Sequence, residues 1–137
     1  MIHMNLSIID RFFVAYSRHD MDAISKELSE NVKWTFPGSS SLSGTKTGIN
    51  EVVNFFDKMG ELMGKANVKV EKLVMGVNDN YVLECQYIKT DKKDSVNIDQ
   101  KMCVLWTFEN GKIIGGKHFT EDQIQADVFY NKYGDVK

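Results

Sequence analysis

Leu6, Ile9, Phe12, Phe13 and Tyr16 recur at three- and four-residue spacing, so the chain opens on an amphipathic helix. His19-Asp20 interrupts that pattern, and Asp20 is placed to cap a short second helix running through Leu28. Val32, Trp34 and Phe36 then alternate with Lys33 and Thr35, a short strand closed by the only proline, Pro37. Residues 38–48 are rich in Ser, Thr and Gly and read as a loop able to fold over whatever lies beside Phe36. A long helix follows, with Ile49, Val52, Val53, Phe56, Met59, Leu62 and Met63 on or near one face and Gly64 as its stop.

From about residue 67 the period changes from a helical one to two. A strand through Val68, Val70 and Val74 turns at Asn78-Asp79-Asn80, and a second runs from 81 to about 90. The charged stretch 91–94 links it to a third strand, 97–108. Asn110-Gly111 is the strongest hairpin signal in the chain, and 112–119 is the last long strand. A closing helical stretch, 121–130, carries Ile124, Val128 and Phe129. Helices first and an antiparallel run of strands afterwards predict the α+β class, as one domain over residues 1–137. A sheet this long twists, so its concave face needs the helices to fill it.

Composition narrows the partners more than the chemistry. Hydrophobic residues at 42% and charged residues at 26% are ordinary for a globular domain. The net charge of -2 gives no reason to expect nucleic acid. No apolar run approaches the ~20 residues that span a bilayer, and Met1-Ile2-His3-Met4-Asn5 lacks the start of a signal peptide. Cys85 and Cys103 both fall in strands, without a Cys-x-x-Cys pair, and read as free thiols in a reducing cytoplasm. His3, His19 and His118 lack ligand spacing, so no metal site is expected. The glycines of 38–48 lack a following Lys-Ser/Thr, so no phosphate cradle is expected, and no cofactor is called for.

Three segments carry a resemblance. They are residues 32–38 with 42–48 and the helix from Glu51 to Phe56, then residues 106–114, and then His118-Phe119-Thr120-Glu121-Asp122-Gln123. In this order the chain resembles the nuclear transport factor 2-like superfamily, and within it the SnoaL-like and ketosteroid isomerase-like proteins. The resemblance implies a cystatin-like cone: three N-terminal helices packed on a curved antiparallel sheet around an internal pocket. It also favours a homodimer through the outer face of the sheet, where Cys103, Leu105 and Thr107 form a mixed patch. The fold hosts enzymes and non-catalytic binding modules alike, so it names no reaction.

Strand alternation assigns the faces. Met102, Val104, Trp106 and Phe108 form an apolar face expected to be concave, with Asp99, Lys101 and Thr107 opposite. The resemblance puts Ile114, Gly116, His118 and Thr120 on the same side, and the small Gly116 leaves room for a ligand there. On the preceding strand Tyr81, Leu83, Cys85 and Tyr87 read as inward and Glu84 and Gln86 as outward, although Val82 and Ile88 share the polar face. If that assignment is reversed, Glu84 becomes a buried acid and a catalytic candidate. Phe12, Tyr16, Phe55, Phe56 and Met59 from the helices, with Trp34 and Phe36 beside them, close the cone and complete the expected ligand-binding set.

Steroid isomerases of this resemblance use an acidic base on the short strand, and a tyrosine plus a protonated acid as oxyanion donors; the donor acid is a carboxyl that its apolar site holds neutral. Tyr16 stands for the tyrosine, but Phe36 and Val104 occupy the places of the two acids, so that mechanism is excluded here. His118 titrates near neutrality and can serve as a general base or acid, with Asp122 orienting it or acting itself and Tyr16 donating to a carbonyl. Against this, His118 reads as a core histidine and Asp122 as a helix-start residue. Three functions follow: binding of a small, largely apolar organic ligand, a SnoaL-like isomerase, cyclase or dehydratase using His118 and Asp122, or a non-catalytic dimeric module with a filled interior.

Overall fold

The computed structural model describes residues 3–134 of the 137-residue chain. Met1 and Ile2 of the N-terminal segment read above lie outside the described residues, as do residues 135–137. The described elements run α1 (Met4–Ser17), α2 (Met21–Glu27), β1 (Leu28–Phe36), β2 (Gly44–Thr47), α3 (Ile49–Lys65), β3 (Lys69–Val77), β4 (Tyr81–Lys89), β5 (Asp99–Glu109), β6 (Lys112–Thr120) and α4 (Gln123–Tyr133). The strands form one six-stranded sheet in the order β2-β1-β6-β5-β4-β3. This is the α+β cone that the sequence predicts, with two corrections to its sheet. It is mixed rather than antiparallel, because β1 runs parallel to β6. And the 38–48 stretch is not all loop, since Gly44–Thr47 pairs with β1 as β2.

Local chemistry accounts for the element ends. Asp20 caps α2 by accepting from the Ala23 N–H at 3.1 Å, as expected, and Leu28 begins β1 instead of ending the helix. Gly64 does not stop α3, which continues to Lys65; the residue that takes the left-handed conformation is Asn67, at φ 52°. At the β5–β6 hairpin Asn110 and Gly111 both have positive φ, 53° and 74°, the geometry that matches the twist of the flanking strands. In α4 Ala126, Phe129 and Tyr130 are buried, while Ile124 and Val128 are exposed.

The 38–43 loop is tied to α4. The Ser39 N–H donates to Asp127 Oδ1 at 3.1 Å, Asn131 Nδ2 donates to Ser39 Oγ at 3.1 Å, and Ser41 Oγ donates to the Gly134 carbonyl at 3.1 Å. Together they fix Phe36 and Tyr130 edge-to-face, with ring centroids 5.0 Å apart. The core lies between the helices and the concave face of the sheet, where Ile8, Ile9, Ile24, Val32, Val52, Ile113 and Phe129 are essentially inaccessible. On the convex face Cys85 and Cys103 are free thiols opposite each other, Sγ to Sγ 2.7 Å.

Candidate functional site

Cross-strand register decides which residues meet inside the cone. Trp106 pairs with Gly116 and Val104 with His118 between β5 and β6, while Glu84 pairs with Val104 and Val82 with Trp106 between β4 and β5. Directly opposed residues share a face. Val104 is on the concave face, so Glu84 must be there too. The inward assignment of Tyr81, Leu83, Cys85 and Tyr87 is therefore corrected: Val82, Glu84, Gln86 and Ile88 are buried, and Tyr81 and Leu83 are exposed on the other side. Ile114 is also displaced from the inward set. The register shift after Thr107 leaves it as an extra residue between Gly115 and Ile113, and Ile113 takes the inward place.

These faces enclose a cavity of about 530 Å³, within the range of roughly 300–1,000 Å³ usual for small-molecule sites. Phe12, Tyr16, Trp34, Phe36, Phe55, Phe56, Met59, Met102, Val104, Trp106 and His118 line it. Its walls interlock edge-to-face: Trp34 and Trp106 lie 5.0 Å apart, Trp34 and Phe56 4.8 Å, and Phe12 and Phe56 4.9 Å between ring centroids. Gly116 is not part of the lining. A Cβ there would stand 2.0 Å from Trp34 Cζ3, so the space its missing side chain leaves is filled by the Trp34 indole of the adjacent strand β1, not by room for a ligand.

Asp122 is not brought to the cavity either. It caps α4, its Oδ1 accepting from the Gln125 N–H at 3.0 Å, and its backbone is fixed by Gln100, which donates to the Asp122 carbonyl at 2.8 Å. His118 and Asp122 share no hydrogen bond. His118 sits instead in an aromatic cage, its ring 5.0 Å from Phe36, 5.5 Å from Trp34 and 6.2 Å from Phe55 between centroids. Both ring nitrogens are buried without a partner, and burial holds the imidazole down to a pKa of about 3, so it is neutral at physiological pH.

Residues beyond the expected set complete the site. Glu84, fully buried, lines the cavity from β4 with Gln86, and Lys72 approaches from β3 with its Nζ 5.1 Å from the Phe13 ring centroid. Burial raises the Glu84 pKa. The Gln86 amide, the Lys72 charge and the Trp106 indole offset part of that rise without closing a hydrogen bond to the carboxyl. Tyr130, from α4, lines the wall beside Phe36, and its phenol is pushed upward by burial; burial likewise pushes Tyr16 up to about 12, so both phenols stay protonated donors. The sequence signal for Glu84 was Val82 and Ile88 on its side of the strand. For Tyr130 it was only its place on a terminal helix.

Among the described residues, six buried side-chain atoms lack a hydrogen-bond partner: Trp34 Nε1, Trp106 Nε1, both carboxyl oxygens of Glu84 and both ring nitrogens of His118. All belong to residues that line this one cavity. Buried polar atoms are normally paired, so their concentration around one cavity is unusual.

The profile of the SnoaL-like domain family matches residues 9–115, most of the chain. The chain belongs to the SnoaL-like family. Across the curated relatives, this SnoaL-like protein is 24% identical over 127 residues to an uncharacterized protein of Mycobacterium tuberculosis, covering 92% of this chain and 95% of the relative. Among solved structures it is similar to a Xanthomonas campestris protein with a cystatin-like fold, at TM-score 0.77, 23% identity and coverage of 94% and 98% of the two chains. It is also similar to TerC co-crystallized with polyporic acid, at TM-score 0.71, 16% identity and coverage of 87% and 92%. At these identities the structural likeness establishes the fold, and the SnoaL-like cone with its nuclear transport factor 2-like relatives is the frame for the site above.

Proposed function

We propose that this SnoaL-like protein binds a small, largely apolar organic molecule inside the cone. The observation that carries the reading is the coincidence of the cavity of about 530 Å³ with the six unpartnered polar atoms. Aromatic walls supply apolar contact area. Sparse polar groups along the sheet side of the cavity orient the guest, because each one left unpaired in the complex costs affinity. TerC, a protein of the same fold, was co-crystallized with polyporic acid, which supports an organic guest in a cone of this shape.

The test is a thermal-shift screen of the purified chain against apolar carbonyl and phenolic compounds, repeated on Met102→Trp. Met102 is half-buried and lines the cavity, so an indole there occupies the guest's space. A guest at a hundredfold excess over its Kd stabilises the native state by about 2.7 kcal/mol, and the melting temperature rises with it. Hits that persist in Met102→Trp place binding elsewhere, and a broad panel without hits sinks the reading.

The unpartnered acid favours a second reading, proton transfer on the bound molecule. In that case Glu84 takes the role first expected of Asp122. It is a buried carboxyl with a raised pKa that faces the cavity, whereas Asp122 is committed to a helix cap.

A further inference from the structure

The polar atoms around the cavity differ in what they ask of a guest. Trp34 and Trp106 can only donate. Neutral His118 offers one N–H and one lone pair, both unanswered. Glu84 offers only acceptors when ionised, and one O–H with acceptors when protonated. A carbonyl or ether oxygen, which only accepts, answers the indoles and half of His118. It gives nothing to an ionised Glu84. A hydroxyl, donor and acceptor at once, answers each of these groups in either protonation state.

The placement adds a length. Glu84 on β4, Val104 on β5 and His118 on β6 stand directly opposite one another in register, forming one row across the concave face. Adjacent strands lie roughly 4.8 Å apart, so the outer members of the row are on the order of 10 Å apart at Cα, with the Val104 side chain between them. A flat guest resting on Val104 has a lining residue with a buried, unpartnered polar group at each end. The walls over it are aromatic: Trp34, Phe36 and Phe55 crowd the His118 end.

Resting on the cavity-binding reading above, we propose that the guest is an aromatic compound with two hydroxyl groups set across its ring system, one donating to Glu84 and the other hydrogen-bonded to His118. Burial acts in the same direction at both ends. It keeps the imidazole neutral, and so able both to donate and to accept, and it makes an unanswered carboxylate costly.

The test is isothermal titration of the purified chain with 2,6-dihydroxynaphthalene, 2-naphthol and 2,6-dimethoxynaphthalene, then with the same probes on Glu84→Leu and His118→Leu. The diol is expected to bind the wild-type chain at least about tenfold tighter than the diether, with 2-naphthol between them, since each added hydroxyl closes one buried hydrogen bond. In each leucine variant the diol falls to the level of 2-naphthol. Equal affinity for all three probes overturns the dihydroxy assignment and leaves cavity binding standing. A diol preference that survives both variants overturns its placement at Glu84 and His118. Failure of every probe to bind overturns this proposal, while the cavity-binding reading stands or falls on the broad panel described above. The wild-type comparison needs no variant, so it decides the matter even where a leucine variant does not fold.

Discussion

His118 makes the protein sensitive to mild acid, and the size of the effect follows from its surroundings. An unfolded histidine titrates near pH 6.5, whereas the buried ring in the native cage titrates near 3. Between those values the unfolded chain binds a proton that the native chain refuses, so stability falls as pH drops from about 6.5 toward 3. Each pH unit in that window costs about 1.4 kcal/mol, which makes about 2 kcal/mol lost by pH 5. Asp94, lowered to about 2 first of all by Tyr133 and then by Lys132, contributes stability that is lost as the pH falls from the ordinary aspartate value of about 3.9 toward 2, below the span from pH 7 to pH 5. Glu84, raised by burial, acts with the opposite sign, since its native form gains protons first as the pH falls. The assay is urea unfolding at pH 7 and pH 5 for the wild type and for His118→Leu, and the difference between the two proteins isolates the imidazole. The wild type is expected to lose about 2 kcal/mol more than the variant over that interval. At pH 7 the variant should be no less stable, because leucine replaces two unpartnered nitrogens with apolar atoms. Parallel pH slopes in the two proteins would refute the argument, since they would mean that His118 reaches solvent or a partner in the native state.

Gly116→Ala drives a methyl into the Trp34 indole, 2.0–2.4 Å from three of its ring carbons, and Trp34 is too enclosed to retreat. A loss of about 1–3 kcal/mol in denaturant unfolding is expected; an unchanged midpoint would mean that the indole does not occupy that space. Asp122→Ala removes the α4 cap and should lower stability by about 1 kcal/mol while leaving guest affinity unchanged. Lost binding at unchanged stability would return Asp122 to the site.

The parts of the fold that were legible in the sequence are those set by local pattern. Val32, Trp34 and Phe36 show a strand by alternation, Asn110-Gly111 shows a hairpin by backbone preference, and Asp20 shows a helix start by its capping oxygen. The apolar lining was legible for the same reason, because Met102, Val104, Trp106 and Phe108 fall on one side of a strand whose other side carries Asp99, Lys101 and Thr107. The failures share a different cause: each depended on which residue of another strand stands opposite. β4 carries apolar side chains on both faces, so its alternation is ambiguous, and only pairing with β5 across the 90–98 connection turns Glu84 inward. The bulge that exchanges Ile114 for Ile113 leaves no mark in a two-residue period. Gly116 reads as a void until the parallel pairing of β1 and β6, strands far apart in the chain, lays Trp34 against it.

That division has a consequence for the site. Apolar walls can be inferred from pattern because many sequences with the same alternation build the same wall. The polar groups of the cavity wall are few, and those on β4 to β6 are placed by a register that one slipped residue would reverse. His118 and Asp122, four residues apart, looked like partners, but a strand ends and a helix begins between them and turns the carboxylate toward Gln125. Glu84 and His118, thirty-four positions apart in the sequence, are the polar ends of one row because β4, β5 and β6 are adjacent and in register at Val104. The polar character of the cavity wall is therefore a property of strand register, and a substitution that slips β4 against β5 by one residue would replace an acid at that wall with Leu83 or Cys85 while leaving the apolar cone around it largely in place.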